Sequence, residues 1–505
     1  MRQDDFKNRY IIKVLSSVLI AVVNMIIQVL LPRLFSVEDY GYYTYNLNVF
    51  TSVVVIANLS SSNALISKYS KRNDEIGLVY FYLKFFAAMS ILLTIGTVIL
   101  YQFDFIRSVF AGQTLIVVLL GIETAIVTKL LTDCISMYDA SAISRFPALI
   151  QVLMKGLISA TVILGFFYGS YNLVTFYIVQ FVVTALAISI LLVAIIKDQQ
   201  RRYPQIKSCM SRQYIGEFVE FCKPLVVANI VAQVVVIIMN WALMKWSGVA
   251  EQAIFGVAWQ LNSLISYVFS PYAELSKREF AVLNDNVEQL KNRFVQSLKL
   301  MFWLTSYFAI FTAFMSGHIL PIIYGDKYSN ATLATAIIMF YTVYQSWGQI
   351  TGSYMISREK TKANAIISII GQLLTVAGVF LFQMPNVIWG ESLGAIGIAV
   401  NYLVANIITS IISVCYISTD LGISKLRNCS IQIMPISSLS VVAFALKFIC
   451  DRIILCSGIW DNILKVLISG LLYTAITLGI IFAKPSLVGL SSESLKRIIR
   501  RKTKL

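Results

Sequence analysis

The chain is short of charge. Only 13% of its 505 residues are Asp, Glu, Lys or Arg, against about 25% in an ordinary soluble domain. A water-covered surface of the usual kind is therefore excluded. Histidine is nearly absent, with His318 alone, and the seven cysteines show no CxxC or His-linked spacing. Such a ligand supply argues against a Cys/His metal site. Cys450 and Cys456 leave two readings open, a disulfide near one membrane face or unpaired thiols in and beside helices. Catalytic motifs are missing too: there is no Gly-rich phosphate loop, no HExxH and no nucleophile motif. Without a soluble domain to hydrolyse ATP, the chain reads as neither an enzyme nor a self-contained ATP-driven pump. No cleavable leader is expected, because the apolar run 11–31 is too long for a signal h-region and lacks a small-residue exit.

What the chain has in abundance is apolar length. Hydrophobic residues make up 58% of it, in recurring runs of about 20 residues, the length that crosses a bilayer as a helix. The expected fold is an all-α polytopic membrane protein of about fourteen spans. Hydropathy places them at 11–31, 43–66, 79–101, 112–137, 146–168, 172–196, 218–244, 252–272, 295–316, 331–356, 363–382, 394–416, 431–450 and 460–483. This divides the chain into an N-terminal lobe (1–196), a central loop (197–217), a C-terminal lobe (218–416), two further helices (417–483) and a basic tail (484–505).

The formal net charge is +16, but its distribution argues against nucleic acid. Basic residues collect in alternate loops. Those expected inside hold Lys68, Lys71 and Arg72, Arg145, the central loop, Lys277 and Arg278, Lys291 and Arg293, Arg358 to Lys362, and Lys425 and Arg427. Lys and Arg near span ends resist translocation, so both termini are expected in the cytoplasm. The tail, with Lys496, Arg497, Arg500 and Arg501 beside Ile498 and Ile499, suits anionic phospholipid at the inner leaflet or a plain solvated tail.

Two stretches repeat weakly. Pro32-Arg33-Leu34-Phe35-Ser36-Val37-Glu38-Asp39-Tyr40-Gly41 follows the first span, and Ser247-Gly248-Val249-Ala250-Glu251-Gln252-Ala253-Ile254-Phe255-Gly256 follows the seventh. Six spans separate them, so the repeats run parallel, related by a pseudo-two-fold axis along the membrane normal, with a substrate path expected between the halves.

Ionisable residues inside spans are the informative ones, since they are costly there and are kept for function. The fourth span carries Glu123, Lys129 and Asp133 within about 120° of one face, and the fifth carries Lys155. Lys129 and Lys155 lie at similar depth, roughly 12–13 Å from the inner turn, a placement that suits an anion such as pyrophosphate. The competing reading is local: Lys129 pairs with Asp133 at i,i+4 and Lys155 snorkels inward. Lys84, Lys223 and Glu220 sit nearer span ends. Asn24, Gln28, Asn58, Gln233, Gln345 and Gln349 are amides that either line a hydrated lumen or bond between helices. Tyr341 and Tyr344 accompany Gln345 and Gln349, and aromatic and amide groups together suit sugar hydroxyls.

The opening motif, together with Leu320-Pro321-Ile322-Ile323-Tyr324-Gly325-Asp326-Lys327-Tyr328, resembles the Wzx or O-antigen flippases, polysaccharide-repeat transporters of the multidrug/oligosaccharidyl-lipid/polysaccharide exporter superfamily. The resemblance implies two six-helix lobes, plus two C-terminal helices, around a cationic cavity. It implies translocation of an undecaprenyl-pyrophosphate-linked oligosaccharide from the cytoplasmic to the outer leaflet of the inner membrane by alternating access. Lys129, Lys155, Lys84 and Lys223 would then receive the pyrophosphate. Glu123, Asp133 or Glu220 would serve as cavity carboxylates or bind a coupling H⁺ or Na⁺, with no other cofactor. A polysaccharide polymerase and chain-length regulator are the implied protein partners. A cation-coupled drug exporter of the same superfamily and a non-transporting scaffold for glycan assembly are the rival readings.

Overall fold

The computed structural model describes residues 6–72, 75–103, 108–110, 112–141, 143–169, 171–202, 211–283, 286–385, 392–454 and 458–489. Among them are fifteen α-helices and no strand. They are α1 (Phe6–Leu34), α2 (Val37–Ala57), α3 (Ser61–Lys71), α4 (Ile76–Tyr101), α5 (Leu115–Ala140), α6 (Arg145–Tyr168), α7 (Leu173–Arg202) and α8 (Ser211–Ser247). Then follow α9 (Val249–Val282), α10 (Val287–Tyr324), α11 (Thr332–Ser357), α12 (Thr361–Gln383), α13 (Gly394–Asp420), α14 (Lys425–Ile453) and α15 (Ile459–Ala483).

Each expected span coincides with one helix, except the second. That one is broken: α2 and α3 meet at 57°. Among the described residues ten helices are long and apolar enough to cross a membrane, or eleven if the bent pair counts as one span. The helices that miss this test are α1, α9 and α11. In α11 the reason is visible, because Thr335, Thr342, Ser346 and Thr351 are all buried. This helix packs against α10, α12 and α13, and Thr342 Oγ1 donates to Asn262 Oδ1 at 2.8 Å and Ser353 Oγ to the Ala273 carbonyl at 3.0 Å, while the buried Thr335 hydroxyl has no hydrogen-bond partner among the described residues. Apolar residues face outward instead, as at Phe167 (77% exposed), Leu471 (72%) and Leu92 (71%). Polar inside and apolar outside is the arrangement lipid demands and water forbids.

The chain divides into two compact units, Met1–Ala253 and Ile254–Leu505. In the first, α5 packs on α2, α3, α4 and α7, while α1 packs on α6 and α6 on α7. Unit 1 also takes in α8, which the sequence reading placed at the start of the second lobe; it rests on α2, α3 and α4. In the second unit α10 carries α11, α14 and α15. The two C-terminal helices dock through Trp303 and Ile310 of α10 against Leu439, Ala443 and Leu446 of α14 and Tyr473 of α15. Near the end of α10 that dock becomes polar: the ring nitrogens of His318 bond Asn462 Oδ1 and Asp451 Oδ1, both at 2.8 Å, and Lys465 reaches Asp461 at 2.7 Å and Asp451 at 3.7 Å.

Several expected loops are in fact joints. Pro32 and Arg33 belong to α1, and Phe35–Ser36 alone separate it from α2, with Ser36 Oγ capping the Asp39 N–H at 3.0 Å. Gly248, at φ +90°, alone separates α8 from α9. The central loop is largely helical, since α7 runs to Arg202 and α8 starts at Ser211; 203–210 and, within the basic tail, 490–505 lie outside the described residues. Cys450 carries a free thiol, and Cys456 lies outside the described residues.

Gly41 shows why the opening motif needs glycine. A Cβ there would stand 2.2 Å from the Val249 carbonyl oxygen and 3.1 Å from its carbon. Backbone cannot rotate aside as a side chain can, so α2 approaches the start of α9 this closely only without a Cβ. Gly41→Ala should lower the midpoint of thermal unfolding in detergent by several degrees; an unchanged midpoint would show that this contact yields easily.

Candidate functional site

The break in the second span is the local feature around which the site forms. Asn58, Ser60, Ser61 and Ser62 follow one another there with only Leu59 between, and Asn and Ser side chains compete with the helix for backbone hydrogen bonds. Leu59 and Ser60 take the left-handed conformation, at φ 50° and 60°. Such residues carry strain that the surroundings must hold in place. Here the holding groups are explicit. The buried Asn58 side chain accepts from the Ser62 N–H at 3.3 Å and from Ser62 Oγ at 3.1 Å. Its amide donates to the Tyr82 hydroxyl at 3.1 Å, and Tyr82 donates to Asp133 Oδ2. Lys129 Nζ donates to Asp133 Oδ1 at 2.5 Å and to Ser62 Oγ at 3.0 Å. The five side chains close a ring that joins the α2–α3 break to α4 and α5. Asn229 of α8 adds a sixth contact, donating to Ser60 Oγ at 2.6 Å.

The ring is electrically neutral. One ammonium faces one carboxylate, and both are withdrawn from solvent, Asp133 more than Lys129. The local pairing read from i,i+4 spacing is thus present, and Lys129 has its counter-charge within the protein.

The other nominated residues are dispersed. Glu123 is half-buried and accepts from Thr94 Oγ1 of α4 at 2.5 Å. Lys155 is half-buried on α6 and, among the described residues, has neither an ion-pair nor a hydrogen-bond partner. α6 packs on α1 and α7, and α5 on α2, α3, α4 and α7, so the two consecutive spans share α7 as a neighbour but are not each other's main partner. Lys84, Lys223 and Glu220 are exposed. Asn24, Gln233 and Gln349 are half-buried, while Gln28 and Gln345 each hold a buried Oε1 with no hydrogen-bond partner.

Two clusters escaped the sequence reading. Tyr82 is one turn-mate of apolar residues in α4 and carries no signal of its own. At the ends of α3, α4 and α8, Lys68 and Arg72 clasp Glu217, with Lys68 at 3.3 Å, while Arg72 also reaches Glu75 at 3.3 Å. These residues looked like topology charges alone. Hydrogen bonding from Arg72 holds the Glu217 carboxyl below the usual carboxylate range.

A profile of the family described as "Polysaccharide biosynthesis protein" matches residues 30–333, more than half of the chain. The chain belongs to this family. Among curated proteins it is similar to the lipopolysaccharide biosynthesis protein WzxC of Escherichia coli K12, with 26% identity over 154 residues, 30% of this chain and 28% of that protein. The match therefore spans well under a third of that relative's length. In fold it is similar to the lipid II flippase MurJ in an inward-closed conformation, with TM-score 0.70, 15% identity and coverage of 94% of this chain and 98% of that one. An inward-facing multidrug transporter of the MATE family follows, with TM-score 0.62, 15% identity and coverage of 80% and 95%. Family, relative and fold agree with the resemblance to Wzx-type polysaccharide flippases of this superfamily. The protein is a multi-pass membrane protein of polysaccharide biosynthesis.

Two outcomes follow from the geometry. Lys129→Met leaves Asp133 buried without its cation and should cost about 3–5 kcal/mol; adding Asp133→Asn should recover most of it in a denaturation series. A double variant as unstable as the single one would show that the pair is uncoupled. Glu217→Gln should lower thermal stability near pH 7. Because folding depresses the Glu217 pKa, its contribution is present above the unfolded carboxylate value, about 4.3, and fades as pH falls through the folded one. The gap between variant and wild type should close in acid; a gap independent of pH would sink this account.

Proposed function

We propose that the protein is a flippase. It moves an undecaprenyl-pyrophosphate-linked oligosaccharide repeat unit from the cytoplasmic to the outer leaflet of the inner membrane, exposing its binding site alternately to the two sides. Family membership supports a role in polysaccharide assembly, and the shared fold is one that can carry amphiphiles across a bilayer. The observation that carries the reading is Lys155, a half-buried ammonium without a counter-charge among the described residues. A cation left so in a membrane helix is costly unless it meets an anion or water. A pyrophosphate supplies that anion. Lys129 has a different part, neutralised in the ring that braces the broken span. Lys84 and Lys223, exposed as they are, draw the anionic headgroup toward the protein. Both termini lie in the cytoplasm, as the alternating Lys/Arg bias supports.

No cofactor is needed for such movement. Where the cycle is driven, Glu123 is the carboxylate placed to take up H⁺ or Na⁺, because Thr94 is its one hydrogen-bond partner among the described residues. The chain acts as a carrier rather than an enzyme, with the polymerase and chain-length regulator downstream of it.

Cells lacking the protein should accumulate a single undecaprenyl-linked repeat on the cytoplasmic side and lose surface polymer. Lys155→Ala should reproduce that loss while the protein stays at wild-type level in the membrane. Normal surface polymer in Lys155→Ala would remove the residue from the mechanism. Unchanged glycan together with raised drug sensitivity in the deletion would make the protein an exporter.

A further inference from the structure

Unit 2 contains a wall of aromatic rings that the functional reading does not use. Phe255 and Trp259 of α9, Tyr341 of α11 and Tyr402 of α13 meet there. Trp259 lies 5.2 Å from Tyr402 and 5.6 Å from Tyr341, and Tyr341 lies 5.4 Å from Tyr402, centroid to centroid. Phe255 stacks on Tyr402 at an interplanar angle of 6°. Phe255 is buried behind the others, whereas Trp259, Tyr341 and Tyr402 each keep accessible surface, although both tyrosines lie deep in the protein.

Some aromatic side chains of this unit settle their polar handles, whereas Trp347 Nε1 and the Tyr473 hydroxyl are buried without a hydrogen-bond partner among the described residues. In the same unit Tyr354 packs between Phe280 and Phe294, and its hydroxyl donates to Asp420 Oδ2 at 2.7 Å. Tyr307 stacks on Tyr473 and shares a hydrogen bond with Thr474 at 2.6 Å. The wall differs from both kinds, because Trp259, Tyr341 and Tyr402 keep accessible surface. Among the described residues, the Tyr341 and Tyr402 hydroxyls and the Trp259 indole N–H have no hydrogen-bond partner. One helical turn from Tyr341, on the same face, Gln345 holds its buried Oε1 equally without one. Buried tyrosines and tryptophans normally find partners. Three accessible rings and four unused polar groups thus share one place. Among the described residues no cation lies over Trp259, Tyr341 or Tyr402.

We propose that this wall is a sugar subsite, which receives an uncharged pyranose ring of the transported glycan. The proposal rests on the flippase reading. A pyranose has the matching chemistry: its ring face presents aliphatic C–H groups that pack on aromatic faces, and its rim presents hydroxyls that both donate and accept. Trp259 supplies the stacking face. Tyr341 and Tyr402 exchange hydrogen bonds with ring hydroxyls, and Gln345 accepts from one. Apolar pockets with a few convergent polar groups bind small ligands in this way.

The test uses the purified full chain in detergent micelles. Binding is read as the rise in unfolding midpoint with added lipid, for two probes: undecaprenyl pyrophosphate, and the undecaprenyl-linked repeat unit extracted from cells deleted for the protein. Wild type should bind the sugar-bearing lipid more tightly. Trp259→Ala should lose about five- to tenfold of that affinity and keep its affinity for the sugar-free lipid, and Trp259→Phe should retain most of the sugar increment. Tyr341→Phe, which keeps the ring and removes the hydroxyl, should lose part of it. If Trp259→Ala binds both lipids as wild type does, the subsite is overturned and the flippase reading stands. If wild type binds neither lipid, both readings fall together. Tetraphenylphosphonium that competes at the wall, without any sugar increment in wild type, would make the wall a cation cage and overturn the proposal.

Discussion

A helix cannot be interrupted inside a bilayer unless something replaces the lost backbone hydrogen bonds, because the hydrocarbon offers none. The first unit meets that constraint at Asn58–Ser60. Two residues in left-handed conformation turn the chain through 57°, and the Asn58 side chain takes over as acceptor for the new helix. From that point the arrangement propagates. Asn58 needs Tyr82, Tyr82 needs Asp133, and a carboxylate so deeply buried needs Lys129. Each member answers a demand created by the one before it, and Ser62 closes the circle. A buried network of this kind is worth keeping only when every member is satisfied, as here.

That closure changes what the charges are for. Lysines inside spans invite one explanation for all of them, and the structure separates them. Lys129 and Asp133 cancel, so neither presents a field beyond its neighbours. Lys155 has no such partner among the described residues. The same sorting applies at the helix ends. Glu217 draws Lys68 and Arg72 together across α3 and α8, so basic residues expected to orient the chain also tie helices to each other.

The helices themselves were legible because a bilayer imposes one length on nearly every span, and apolar runs of that length stand out in sequence. The i,i+4 pairing of Lys129 with Asp133 was legible for a similar reason, since helical geometry alone brings them together. The break at Asn58 was not: a window of hydropathy averages over Asn58, Ser60, Ser61 and Ser62 and returns a single span. Tyr82 and Ser62 were invisible because their partners lie on other helices, and helix neighbourhood does not follow chain order. Consecutive spans α5 and α6 illustrate it, for each packs on α7 more than on the other. The affiliation of α8 with unit 1 was hidden likewise. Gly41 was seen as part of a motif, but the reason for it, the Val249 carbonyl 2.2 Å from where a Cβ would stand, lies two hundred residues away.

The second unit is built on a different economy of polar groups. Its α14 and α15 are fastened to α10 by an apolar seam that ends in His318, Asp451, Lys465 and Asp461. The ionisable groups at that end are paired, although the Tyr473 hydroxyl inside the seam has no hydrogen-bond partner among the described residues. The wall of Trp259, Tyr341 and Tyr402 is set apart by polar groups, unpartnered among the described residues, on rings that keep accessible surface. A lipid-linked oligosaccharide offers two unlike chemistries, an anionic linkage and a train of hydroxylated rings. An ammonium without a counter-ion answers the first, and aromatic faces with unspent hydroxyls answer the second. A chain that carried only one of the two would hold the linkage without the glycan, or the glycan without the linkage. On the proposed reading Lys155 would meet the first of these chemistries and the aromatic wall the second.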